Sequence, residues 1–455
     1  MRCDACREWL TAYLKAELEG AQVVEVEEHL ATCAECAQEC EGARKMLAQL
    51  DAASGEPILR LAATVVEKAF ERRASDIHIR HIGEQCKVFM RIDGVMHEAV
   101  LLPEDVHRPL VDRFKIMADM KLTVSNAPQD GRIMTEVQGK KLDLRVSVVP
   151  TATGESLVIR LLDSSCIRLS LDDVCLVGEQ RAQLDDLLHR PSGLIVVTGP
   201  TGSGKTTTLY AILHELNRPA VHCMTIEDPI EYLIEGVTQV PVNRAAGMDF
   251  RAAMRAIMRQ DPDVIMCGEV RDLETAELCC QAAMTGHLVL TTLHTDDAIK
   301  AVSRLLDIGL PRFIITSALL GATAQRLLRK LCAACKEEYD PRAESSAPGL
   351  TQAANEEAWL REAGLTELPG KLWRGKGCPE CHGSGFRGRL AIYEIFTMDQ
   401  DVLTAMAVKQ ASLEEVERLA ATKVKPLRRV ALEKVLGGDV PVAEAMRSLM
   451  YLPEY

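Results

Sequence analysis

Leu194-Ile-Val-Val-Thr198 runs without a break into Gly199-Pro-Thr-Gly-Ser-Gly-Lys-Thr206. A buried strand must end where these glycines begin. Glycine reaches positive φ and leaves no Cβ between backbone N–H groups and an anion. A helix expected over Thr206–Leu216 points its positive end at the same place. Strand, anion loop and helix in that order predict an α/β fold with a mostly parallel sheet. Gly199, Pro200, Thr201, Gly202, Ser203, Gly204, Lys205, Thr206 and Thr207 are the expected cradle for the phosphates of ATP. Lys205 is expected to reach the β- and γ-phosphates, and the Thr206 hydroxyl to ligate Mg²⁺.

Acidic and histidine elements follow. Thr225-Ile-Glu-Asp-Pro-Ile-Glu231 comes after the apolar stretch Val221–Met224, and Asp261-Pro-Asp-Val-Ile-Met-Cys-Gly-Glu269 carries a second strand. Carboxylates at the carboxyl ends of neighbouring strands sit where such a sheet places its ligand crevice. Glu227 and Glu269 there suit Mg²⁺ held through water, or the orientation of an attacking water. His287 and His294 flank a third strand, and both are candidates for sensing a γ-phosphate.

With 455 residues, the chain has room for two to four domains at roughly 100–200 residues each. Residues 1–50 read as a small helical unit and 51–57 as a linker. Residues 58–163 read as α+β, with a helix over Ile58–Arg72 and strands at Asp76–Arg80, Lys87–Ile92, Leu142–Val149 and Leu157–Leu162. The α/β domain is expected over 164–330, a cysteine-bearing element over 331–395 and a helical region over 396–455. A net charge of -13 argues against nucleic acid as the main partner. Neither a membrane span nor a secretory leader is read, so a cytoplasmic location is expected.

Sixteen cysteines in such a compartment are not a disulfide framework. Cys332-x2-Cys335 and Cys378-x2-Cys381 are paired knuckles whose four thiolates suit tetrahedral, structural Zn²⁺. A second cluster places Cys3 and Cys6 near the start, then His29-x3-Cys33-x2-Cys36.

The ordered motifs, together with Ala74-Ser-Asp-Ile-His78, Arg91-Ile-Asp-Gly94, Pro128-Gln-Asp-Gly-Arg132 and Pro150-Thr-Ala-Thr-Gly-Glu155, resemble the secretion ATPase superfamily of type II secretion and type IV pilus assembly, from about Ile58 to Ser448. The resemblance implies a RecA-like ATPase domain preceded by an α+β (PAS-like) domain, in a ring of six subunits. It implies ATP hydrolysis coupled to movement of an inner-membrane platform protein, with the motor peripheral at the inner membrane. It makes Glu227 and Glu269 the catalytic carboxylates. It also turns Arg91, Arg145 and Arg160 toward the phosphates from the α+β domain. The tetracysteine element is similar to that of assembly motors and is generally missing from retraction motors.

Cys3, His29, Cys33 and Cys36, with Tyr13-Leu14 between, resemble the zinc finger of anti-sigma factors, and Cys6 competes with Cys3 as a ligand. Secretion ATPases usually carry a longer N-terminal domain instead. Two other readings stay open: an ATP-switched regulator that uses the finger as its binding module, and a retraction or DNA-uptake motor of the same superfamily.

Overall fold

Apolar and polar residues alternate through Ile77 and Ile79 and again through Val88 and Met90, so each strand has one face for a core. The computed structural model describes residues 57–83, 85–163, 170–342, 351–407 and 412–449, together with 20–33 and positions 6, 13, 36, 37 and 40. The chain divides into two units, residues 1–166 and 167–455.

In the first unit, α1 (Gly20–Thr32) carries His29. Tyr13 Oη donates to Glu27 of this helix at 3.2 Å. Of residues 1–19 of the expected helical unit, positions 6 and 13 are described, and 51–56 of the expected linker lie outside the described residues. A helix over 57–71 (α2) is followed by β1 (Ala74–Ile82), β2 (Gln85–Ile92), β3 (Val95–Pro103), α3 (Glu104–Met117), β4 (Gln129–Val137), β5 (Lys140–Thr151) and β6 (Gly154–Asp163). The six strands form one antiparallel sheet in the order β3-β2-β1-β6-β5-β4. Ala62, Val65, Val66 and Ala69 of α2 and Leu110, Val111 and Phe114 of α3 share a core with the inward residues of the sheet. Polar residues therefore collect on the opposite sheet face.

The second unit contains α4 (Gly178–Leu188), β7 (Gly193–Thr198), α5 (Lys205–Leu216), β8 (Cys223–Glu227), β9 (Thr238–Pro241), α6 (Phe250–Ile257), β10 (Val264–Cys267), α7 (Leu273–Met284), β11 (Leu288–Leu293), α8 (Lys300–Ile308), α9 (Arg312–Ala318) and β12 (Leu319–Leu331). It continues through β13 (Lys336–Tyr339), α10 (Thr351–Glu362), β14 (Leu372–Gly375), β15 (Phe386–Thr397), α11 (Gln400–Ala407), α12 (Leu413–Ala421), α13 (Leu427–Leu436) and α14 (Val442–Leu449). Seven strands order as β15-β12-β7-β11-β10-β8-β9, parallel except for the antiparallel β12–β15 pair. Leu194 and Val196 face one core, shared with α6 to α9 and the C-terminal helices, whereas Ile195 and Val197 face another, shared with α4 and α5. Burial on both faces explains why this strand reads as a continuous apolar run. The cysteine element expected over 331–395 is an insertion within this sheet, because β15 returns to pair with β12 along its length.

The first unit buries one ion pair deeply. Lys115 Nζ, 0% exposed, meets Glu155 at 2.9 Å and donates to the Val124 carbonyl at 3.0 Å. Removing one partner strands the other charge without water. Glu155→Ala is expected to destabilise the first unit by about 3 kcal/mol. Hydrogen exchange of the β1 and β6 amides in the full chain checks this. Unchanged protection would show the pair to be dispensable.

Candidate nucleotide site and cysteine clusters

The phosphate loop starts where β7 ends. Gly199 and Gly204 hold φ of 145° and 91°, and Gly204 is the N-cap of α5. A Cβ on Gly199 would stand 2.7 Å from the carbonyl oxygen of Gln325 on β12, so no larger residue fits. No side chain caps α5, which leaves its first N–H groups for an anion. Ser203 Oγ is buried and meets no hydrogen-bond partner. The Thr206 side chain is exposed. Lys205 Nζ donates to the carbonyls of its own loop, Gly199 at 2.8 Å and Pro200 at 3.1 Å. Burial lowers the Lys205 ammonium to about 8, the neighbouring Arg326 adds to this, and Glu269 opposes it. These features fit a polyphosphate with its cation: an uncapped helix start and a lysine without a close carboxylate partner adjoin one glycine loop.

Glu269 follows β10 by two residues and is ion-paired with Arg271 at 2.6 Å. His294 follows β11, and its imidazole is held below its ordinary pKa by burial and by Lys205, with Glu269 acting the other way. Lys205, Glu269 and His294 thus lie within electrostatic reach of one another at the carboxyl edge of three parallel strands.

Two expected site residues are placed differently. His287 precedes β11, its carbonyl accepts from the N–H of Gly193 at the start of β7, and its Nδ1 lies 2.9 Å from the Ala282 carbonyl. Six residues of strand, roughly 20 Å, separate it from the edge where His294 stands. The two histidines expected to sense a γ-phosphate occupy opposite ends of one strand, and His294 is the one at the edge of the phosphate loop. Glu227 is 3% exposed and accepts from Tyr210 Oη, from Thr225 Oγ1 at 2.6 Å and from Gln239 Nε2 at 3.0 Å. Both its oxygens are engaged by protein donors, and it ties α5 to β8 and β9.

Arg326 was not foreseen. Its side chain is 8% exposed, it donates to the Asp296 carbonyl at 2.8 Å, and its charge depresses Lys205. No local pattern marks it, because only the pairing of β12 with β7 brings it beside the loop.

In the first unit, strand register aligns Arg91, Asp76, Arg160, Arg145 and Arg132 in one row across β2, β1, β6, β5 and β4. Asp76 pairs with Arg160 at 3.1 Å and Arg91 at 3.6 Å, and Asp143 pairs with Arg132. Arg132 extends the three arginines expected from sequence.

The thiols of Cys332, Cys335, Cys378 and Cys381 lie within 4.8 Å of one another. Cys332–Cys378 and Cys335–Cys381 are each 3.8 Å apart. Burial disfavours the Cys381 thiolate, but N–H groups of Cys378 and Gly385 and the adjoining thiols outweigh this and lower it to about 6. A tight tetrad with one ready thiolate suits Zn²⁺. A second group brings ligand atoms of Cys6, His29 and Cys36 within 4.8 Å. His29 Nε2 there is buried without a hydrogen-bond partner. Cys33 and Cys40 pack in the same cluster, and Cys3 lies outside the described residues. The other described cysteines are free thiols, buried except for the half-buried Cys175.

Parallel strands that deliver a glycine loop to the head of a helix, with carboxylate, lysine and imidazole gathered at that edge, define the P-loop nucleotide-binding class. Comparison with known proteins narrows the class. The chain belongs to the type II/IV secretion system protein family, whose model matches residues 51–447. The family described as "Putative zinc-finger" matches residues 3–37. Type II secretion system protein E of Pseudomonas aeruginosa is 43% identical over 392 residues, 86% of this chain and 75% of that protein. Type II secretion system ATPase E of Vibrio cholerae is 41% identical over 88% of this chain and 76% of its own length. Among solved structures, the pilus retraction motor PilT with bound ADP aligns with a TM-score of 0.55 at 27% identity, covering 84% of this chain and 95% of PilT. The Legionella pneumophila ATPase DotB shares the fold, with a TM-score of 0.62 at 20% identity over 84% of this chain and 93% of DotB. Among the described residues no helix is long and apolar enough to cross a membrane.

Metal analysis checks the two cysteine groups. Cys381→Ser and Cys6→Ser are each expected to lower bound zinc by about one equivalent per chain. Full retention of zinc by Cys6→Ser, with loss in Cys3→Ser, would transfer the N-terminal site to the other cysteine.

Proposed function

We propose that the chain is a hexameric motor ATPase that hydrolyses Mg-ATP to drive pseudopilus or pilus assembly through an inner-membrane platform protein. The observation that carries this reading is the placement of Lys205, Glu269 and His294 just beyond the carboxyl ends of the neighbouring parallel strands β7, β10 and β11. Similarity to the type II secretion proteins of Pseudomonas aeruginosa and Vibrio cholerae favours type II secretion. The tetracysteine group supports assembly over retraction.

In this reading the loop amides and Lys205 bind the β- and γ-phosphates. Thr206 is the residue to hold Mg²⁺, which supplies charge neutralisation of the phosphate oxygens. Glu269 leaves Arg271, orients the attacking water and takes up its proton. His294 senses the γ-phosphate. Glu227 acts by anchoring α5, as a positioning residue. Arg91, Arg145 and Arg160 supply further cations from the α+β domain, which we read as PAS-like, and phosphoryl transfer gains from guanidinium groups that arrive on closure. Zinc at both ends serves folding. The finger serves as a docking module at the cytoplasmic face of the inner membrane.

A regulatory reading draws on the zinc-finger match. It predicts ATP binding without sustained turnover. Steady-state hydrolysis by the purified chain separates the two. Glu269→Gln is expected to lower kcat about 100-fold or more and His294→Ala about 10-fold, with His287→Ala within about twofold of the parent. A Glu269→Gln variant with parental kcat would overturn the hydrolytic mechanism. An equal loss in His287→Ala and His294→Ala would overturn the histidine assignment.

A further inference from the structure

Three side chains from neighbouring strands hold the loop behind His294. Register places Thr198 of β7 opposite Ala324 of β12, and Ala324 opposite Glu394 of β15. The three therefore lie in one row on one face of the sheet. Arg326 is two residues along β12 and shares that face. Thr198 Oγ1 donates to the Thr295 carbonyl at 2.9 Å and accepts from the Thr295 N–H at 2.9 Å. Arg326 donates to the carbonyl of Asp296 at 2.8 Å. Glu394 Oε1 accepts from the Ala298 N–H at 2.8 Å. Residues 295, 296 and 298 are thus pinned across the row, and Ala324, 0% exposed, is the small residue in its middle.

Glu394 has a second task. Its other oxygen, Oε2, accepts from the Leu427 N–H at 3.1 Å, in the first turn of α13. That turn has no side-chain cap of its own from Pro426. One carboxylate, 2% exposed, therefore satisfies an orphan donor of a C-terminal helix and a donor of the loop that begins one residue after His294. A buried carboxylate is costly to keep. Burial raises this one to about 7, the Ala298 N–H opposes this, and Asp297 adds to it. A neutral residue would fill the same space without that penalty.

We propose that Glu394 is a positioning residue of the ATP site, which fixes His294 through the 295–298 loop and locks that loop to α13. The inference rests on the reading of His294 as the γ-phosphate sensor. Position, not contact, is its mode of action. Glu394→Gln keeps the size and one acceptor but turns an amide NH₂ toward the other N–H donor.

A double-mutant cycle on ATP turnover by the full chain tests this. Glu394→Gln is expected to lower kcat about 10-fold with KM for Mg-ATP within about twofold of the parent. In the His294→Ala background, Glu394→Gln is expected to change kcat by less than about twofold, because its effect passes through the missing imidazole. Independent, multiplying losses would reduce Glu394 to a structural role and overturn the proposal, as would an unchanged kcat in Glu394→Gln. If His294→Ala itself retains parental kcat, the sensor reading fails and the inference falls with it. If His294→Ala is impaired and Glu394→Gln is not, only the inference falls. Should the Gln variant not accumulate as folded protein, Glu394→Asp keeps the charge, shortens the reach by one methylene and carries the same cycle with the same outcomes.

Discussion

Strand β12 lies hard against the phosphate loop, and the second unit is arranged around that contact. The Gln325 carbonyl leaves no room for a Cβ at Gly199, and the Gln325 amide nitrogen would stand 2.8 Å from one at Gly204. Thr208 Oγ1 on α5 donates to Gln325 Oε1 at 2.8 Å. The loop is therefore shaped from outside as well as by its own glycines. The same strand pairs in parallel with β7 and in antiparallel with β15. Cys332 follows its last residue, so the tetracysteine group is built on the strand that confines the nucleotide loop. A metal ion held by the four thiols would limit fraying at that end of the strand.

Charge in this unit is set by burial. Lys205 is lowered because water is largely excluded and Arg326 lies near. A lysine whose close partners are loop carbonyls gains much from a polyphosphate, since attraction between charges strengthens as the local dielectric falls. Glu227 shows the opposite arrangement. Its charge is fully engaged by Tyr210, Thr225 and Gln239, which makes it a brace between elements. Two carboxylates at the ends of adjacent parallel strands thus differ in what their side chains meet, although their sequence settings look alike.

That difference marks the limit of reading the chain alone. β7, the glycine loop and α5 were legible because every requirement is local: an apolar run, glycines at fixed spacing and a helix former after them. β10 was legible for the same reason, within the segment Asp261–Glu269. β3 and β4 were not expected as strands. Val100, Leu101 and Met134 are exposed on these two edge strands, so alternation is blurred there. The separation of His287 from His294 was not legible, because spacing along a strand does not say which end lies beside the phosphate loop, and the sheet topology decides it. Glu394 and Arg326 are set by pairing between distant segments, and no short-range pattern announces them.

The row in the first unit makes a further argument from register. Arg145 lies directly opposite both Arg160 and Arg132. Like charges directly opposite one another on neighbouring strands are destabilising. A fold free to choose would alternate signs along such a row, as Asp76 does between Arg91 and Arg160. Here four guanidinium groups stand in line with one carboxylate, and Asp143 answers Arg132 from the same face. Arg132 and Arg160 keep their side chains 64% and 60% exposed. Exposure softens the repulsion through solvent screening.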